Sequence, residues 1–229
     1  MADFNDIGIP RQLDWPWVRK LLTIGVFGAL LHLAGDLILG WGVEDESLTG
    51  LFRMLSAYTA TSDGGILASA LLGLFGMTLE GLSFFGVYRL MAERSPKDAH
   101  RYRSGILGYL IFGACGFHVP TCALVFLARQ GLPEETLVKF ALYFLLPATA
   151  LFWVFFLLLA VTQIAAFAKG YTPYPGWCWV FSPLVGGLAA QALGFLGNLP
   201  ALNAIACAWL AIGCLWMFGG LLCLCGKAR

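Results

Sequence analysis

The sequence predicts an all-α bundle of six transmembrane helices with both termini in the cytoplasm. Three observations carry this. Apolar residues make up 59% of the 229 positions and charged residues 12%, where a soluble domain carries about 25% charge. Six stretches reach the roughly 20 mostly apolar residues that a bilayer crossing needs. Lys and Arg are also divided unequally between the loops, as they are in oriented membrane proteins. With a mean hydropathy of +0.80, residues 1–229 are expected to form a single transmembrane domain of a multi-pass protein in the cell membrane. The net charge of +1 offers no basic field for nucleic acid. No strand alternation persists, and no Gly-rich phosphate loop follows a strand signal.

The elements follow in order. Residues 1–16 carry Asp3, Asp6, Arg11 and Asp14 without a compact apolar core, so they do not read as a cleaved signal peptide. Trp15 and Trp17 read as interfacial anchors ahead of the first span. The spans are expected at about 18–41, 65–91, 104–127, 138–168, 179–196 and 204–225, with Pro147 kinking the fourth. Eleven Lys and Arg fall on the side of the termini: Arg11, Arg19, Lys20, Arg89, Arg94, Lys97, Arg101, Arg103, Lys169, Lys227 and Arg229. Three, Arg53, Arg129 and Lys139, fall on the other. The first loop, with Glu44, Asp45, Glu46 and Asp63, then faces outward. The segment 171–175 (YTPYP), followed by Trp177 and Trp179, reads as a rigid interfacial turn. The cysteines read mostly as small packing residues. The two halves of the chain share no repeat.

The functional clue is four ionisable residues inside the spans. Charge at membrane depth costs a few kcal/mol per residue, so such groups face other helices and mark function by default. His32 and Asp36, one helical turn apart, lie on a stripe with Gly25, Gly28 and Gly40. Glu80 lies on a second stripe with Ser69, Gly73, Gly76 and Ser83. His118 sits among Ala114, Cys115, Thr121 and Cys122. Small residues let helices approach closely, so these faces are expected to meet. At 1.5 Å rise per residue the four side chains fall within about two helical turns in height. They are expected to converge on one site open to the outer face. Gln191, Asn198 and Asn203 are expected at its rim.

Two imidazoles and two carboxylates suit a divalent metal, with His32, Asp36 and His118 as ligands and Glu80 as catalytic general base or fourth ligand. No cofactor is specified by the sequence beyond the divalent metal that these residues suit. The expected function is a metal-dependent or acid-base site for a lipid-soluble substrate, with membrane lipid and a small apolar or amphipathic ligand as partners. The same residues suit a proton-coupled carrier, with Glu80 exchanging the proton and the histidines relaying it. They also suit a structural subunit whose polar groups only lock helices together. Bis-histidine haem through His32 and His118 is a further alternative.

Two resemblances bear on this. The run Gly35-Asp36-Leu37 with its following glycines, the small-residue start of the second span, and the segment from Tyr174-Pro175 to Ser182-Pro183 resemble a family of uncharacterised six-span microbial membrane proteins. That resemblance covers most of the chain and implies architecture, not a reaction. Ser83, Asp36, His32 and His118 are similar in kind to the zinc-site inventory of the ceramidase and progestin-receptor-like membrane hydrolases. The chain departs from that pattern by lacking paired histidines on a late helix and by having six expected spans, not seven.

Overall fold

The computed structural model describes residues 13–226, all-α with no strand among them. Arg11, Lys227 and Arg229, which enter the charge count above, lie outside the described residues. Helix α1 spans Trp15–Gly40, capped by the Asp14 carboxylate, which accepts from the Trp17 N–H, and started by Pro16. A short α2 covers Gly50–Thr59. Helix α3 runs Asp63–Ala92, with the Ser62 hydroxyl as its N-cap.

The third apolar stretch is one 34-residue path, Pro96–Arg129, built from α4 (Pro96–Phe112), a π turn (Ala114–His118) and α5 (Val119–Arg129). The fourth, Glu134–Ala168, joins α6 (Glu134–Phe140) through a second π turn (Ala141–Leu145) to α7 (Leu146–Ala168). Each π turn precedes a proline, Pro120 or Pro147. Proline lacks an N–H and crowds the carbonyl four residues back, so the preceding turn widens. The His118 N–H accordingly reaches the Gly113 carbonyl at 3.0 Å.

Beyond α7 the chain becomes short and broken. A 3₁₀ turn (Gly176–Val180) leads to α8 (Pro183–Gly194), then α9 (Pro200–Cys207) and α10 (Trp209–Leu224). Among the described residues, four helical paths are long and apolar enough to cross a membrane: Trp15–Gly40, Asp63–Ala92, Pro96–Arg129 and Glu134–Ala168. A fifth is counted if α9 and α10, bent by 65°, make one crossing. The stretch expected as the fifth span holds only the 12-residue α8. At 1.5 Å per residue that is about 18 Å, well under the ~30 Å hydrocarbon core.

The core is a stack of antiparallel neighbours. α3 lies along α1, α4–α5 along α3, and α7 along α4; α10 returns along α1 and carries α8 on its other side. Phe84, Tyr102, Tyr109, Phe152, Phe156 and Phe218 fill the centre and are almost wholly buried. The α1–α3 seam is close enough that a Cβ on Gly76 would stand 2.6 Å from the His32 amide nitrogen. The helix α2 has no counterpart in the sequence expectation. Its Leu55, with Leu51, Phe52 and Tyr58 beside it, packs on a satellite cluster containing Leu39, Val125 and Leu137.

At the α3–α4 end, the Arg94 guanidinium donates to the carbonyls of Gly170 (3.2 Å) and Thr172 (2.9 Å), tying down the turn after α7. The Tyr174 hydroxyl donates to the Leu221 carbonyl at 2.9 Å. The YTPYP segment is therefore a packed turn.

Candidate metal centre

The site is assembled by α1, α3 and the π turn that ends α4. His32 and Asp36, one turn apart on α1, are 3.3 Å from each other (Nε2 to Oδ2). Glu80 on α3 faces the other ring nitrogen of His32, with Nδ1 at 3.2 Å from Oε1 and 3.4 Å from Oε2. His118 approaches Asp36 from the opposite side, Nδ1 to Oδ1 at 3.6 Å. The two imidazoles meet edge to face with centroids 5.3 Å apart. All four ionisable residues thus converge and are at least 95% buried.

Partners behind the rings decide where their lone pairs point. The Ser69 carbonyl, 3.0 Å from His118 Nε2, can only accept, so Nε2 carries the hydrogen and Nδ1 is left facing Asp36. The Tyr109 hydroxyl donates to Glu80 Oε2 at 2.5 Å. Glu80 then accepts from His32 Nδ1–H, which leaves Nε2 of His32 facing Asp36 as well. With both rings neutral, two imidazole lone pairs and a carboxylate point at one another. Negative potential concentrated at one buried point calls for a cation, either a proton or a metal ion.

One ligand atom from each of His32, Asp36 and His118 lies within 4.8 Å of the others, so this buried group could hold a metal. Ligands of a tetrahedral zinc at ~2.1 Å stand about 3.4 Å apart. The two His–Asp separations, 3.3 and 3.6 Å, are near that value, each measured to a different oxygen of Asp36. Each histidine also has the outer acceptor that ligating histidines ordinarily carry, a carboxylate for His32 and a backbone carbonyl for His118.

The π turn and the α3 glycines make this geometry possible. His118 lies in the widened turn before Pro120, which takes its ring out of the regular α-helical direction. The ring occupies the space that a side chain at residue 73 would fill, and a Cβ on Gly73 would collide with it.

His32, Asp36 and His118 form one wall of a cavity of about 200 Å³. The other walls come from Leu55 and Tyr58 of α2, from Phe117 and Thr121, and from Gln191, Cys207 and Trp209 of the α8–α10 region.

The chain matches a family of unknown function, DUF6796, over residues 4–228. It belongs to that family. The match covers nearly the whole chain, as the expectation of an uncharacterised family required. No curated protein and no solved structure matches it.

In this family member the other expected residues take different places. Glu80 is fully buried behind His32 and is not part of the cavity wall, so it faces the ring and not the open space. Gln191 does line the cavity, its Nε2 donating to the Ala206 carbonyl at 2.9 Å beside the α9–α10 break. Asn198 and Asn203 do not line it. The Asn198 side chain pairs with the backbone of Glu44, accepting its N–H at 3.1 Å and donating to its carbonyl at 3.0 Å. Asn203 donates to the Gly42 carbonyl at 2.9 Å. Both asparagines clasp the loop after α1, because its extended backbone leaves polar groups that need partners. Ser83 is buried one turn from Glu80, its hydroxyl without a partner among the described residues, and it stays apart from the cluster.

Sequence reasoning missed Tyr109, Tyr58 and the Ser69 carbonyl. Tyr109 had a signal. It precedes His118 by roughly two and a half turns, as Glu80 follows Ser69 by about three, so antiparallel helices bring both pairs level. The helical spacing of Leu51, Leu55 and Tyr58 was a signal for α2. A backbone carbonyl leaves no trace in a side-chain pattern.

Proposed function

We propose that the chain is a six-crossing membrane protein, termini in the cytoplasm, whose outward-facing intramembrane pocket holds a divalent metal on His32, Asp36 and His118. In the sixfold count α8 is an incomplete crossing finished by the turn and loop at its ends, and α9–α10 is one bent crossing. The metal reading is carried by one observation: a ring nitrogen of each histidine, with an acceptor behind the ring, faces Asp36. Three protein ligands leave a coordination position for water or substrate. A divalent ion there would polarise a carbonyl or phosphoryl oxygen, or lower the pKa of water. The apolar walls beside the ligands suit an amphipathic substrate, and the function that fits best is metal-dependent hydrolysis. Glu80 then acts as a positioning residue that orients His32. The chemistry is similar in kind to that of the ceramidase-like hydrolases, with Ser83 left out of it.

A proton-coupled carrier is the second reading. It is favoured by the unbroken run of contacts from Tyr109 through Glu80, His32 and Asp36 to His118. A relay across a membrane needs water at both ends. Here the Tyr109–Glu80 end is fully buried and only the end formed by His32, Asp36 and His118 reaches a cavity, which favours the metal.

Metal analysis of the full chain purified in mild detergent tests this. The expected result is about one divalent ion per chain, as a single three-ligand centre would hold, absent from folded His118→Ala protein. A folded wild-type chain that neither retains metal nor takes up added zinc or manganese would refute it.

A further inference from the structure

A second concavity lies between the start of α1 and the end of α3, about two turns or more along α1 from His32. It has a volume of about 490 Å³, within the range of ligand sites. Leu21, Ile24, Leu79, Leu82 and Phe85 form its apolar floor, and Trp17, Arg89, Asp14 and Glu93 its mouth. The mouth has an unusual charge arrangement. The Lys20 ammonium and the Arg89 guanidinium both lie over the Trp17 ring, 5.2 and 5.8 Å from its centroid. Neither is paired with a carboxylate among the described residues. Asp14 gives one oxygen to the Trp17 N–H at 3.0 Å and keeps the other. Glu93 has no ion pair among the described residues either. Arg89, Asp14 and Glu93 thus border one apolar groove without neutralising each other, and Lys20 stands beside it over the Trp17 ring.

Charge complementarity selects the occupant. A purely anionic headgroup would face Asp14 and Glu93, and a purely cationic one would face Arg89 and Lys20. A zwitterion satisfies both. The indole at the entrance belongs at the level of lipid headgroups, and a long apolar floor leads from it along the helices. A primary amine can donate hydrogen bonds to the carboxylates, and a quaternary ammonium cannot. We infer that this groove seats one aminophospholipid, its phosphate on Arg89 with Lys20 nearby over Trp17, its ammonium on Asp14 and Glu93, and an acyl chain along Leu21, Ile24 and Leu82. The inference rests on the chain being embedded in a membrane and is independent of the metal.

Native mass spectrometry of the full chain in detergent tests it, with phosphatidylethanolamine, phosphatidylglycerol and phosphatidylcholine added back after delipidation. One phosphatidylethanolamine per chain should be retained in preference to the other two. Retention should be lost in Leu82→Trp, which fills the groove from its exposed side, and weakened about fivefold in Arg89→Gln. Equal retention of the three lipids, or phosphatidylethanolamine binding untouched by both substitutions, overturns the assignment. So does a dimer that Leu82→Trp abolishes, because a second copy would then own the groove. A chain that purifies as a folded soluble protein without detergent would instead remove the membrane reading beneath it.

Discussion

The α1–α3–α5 region and the α8–α10 region are both rich in glycine, yet they use it differently. In the first, glycines on long helices bring backbones together and clear room for His32 and His118 between them. In the second, the helices are short and bent, no acidic, basic or histidine side chain lies within α8, α9 or α10, and the polar groups are amides bonded to backbone. Gln191 caps the α9–α10 break, and Asn198 and Asn203 hold the loop after α1. Buried ionisable groups need partners at fixed distance, and long packed helices supply that rigidity. Broken helices supply free carbonyls and N–H groups, which neutral amides satisfy more cheaply than charges do.

The largest effect expected from this contrast is steric. Gly76→Leu should abolish folded, monodisperse protein in detergent, because the added carbon would meet the His32 backbone, which cannot rotate away; overpacking with flexible neighbours already costs about 1–3 kcal/mol. Gly219→Leu should elute as wild type, since a Cβ there meets nothing within 4 Å. Equal loss in both variants would erase the distinction between the regions.

Next comes the shared carboxylate. Asp36→Asn keeps the volume and removes the charge between the two imidazoles. Metal affinity, read by competition with a chelator, should fall by about 100-fold or more, beyond what outer partners contribute. Unchanged affinity would show that Asp36 is only an interhelical link.

Glu80→Gln should act one step further out. The protein should stay folded, since the Tyr109 hydroxyl can still donate to the amide oxygen. Metal affinity should drop about 10- to 100-fold as His32 loses its charged acceptor. A drop as large as that of Asp36→Asn would make Glu80 a direct ligand.

The smallest effect belongs to the α8–α10 side. Asn203→Ala should lower thermal stability by about 1 kcal/mol, typical of one hydrogen bond, with metal affinity unchanged. Lost metal binding in this variant would extend the centre into the second region.

Much of the first region was legible in advance. The stripes of His32–Asp36 and of Gly73–Gly76–Glu80 are periodic, and period is what sequence displays best. The convergence of the four ionisable residues followed from stripes of small residues at matching depth. The second region was less legible. Hydropathy alone does not distinguish the 12-residue α8 from a crossing, because the apolar residues around it continue through a 3₁₀ turn and a loop. Asn198 and Asn203 turn to the loop after α1 and not to the cavity, because composition reveals polarity and not the direction a side chain takes.

By itself the sequence determined the all-α class, the apolar long helices, and which faces of α1 and α3 had to meet, since poor charge content and small-residue stripes leave few ways to bury polar groups. Only the tertiary structure decided which nitrogen of each histidine faces Asp36. That choice depends on Ser69's carbonyl and Tyr109's hydroxyl, brought in from other helices, and on a π turn that re-aims His118. These are long-range contacts and backbone groups, and a linear pattern of side chains does not encode them.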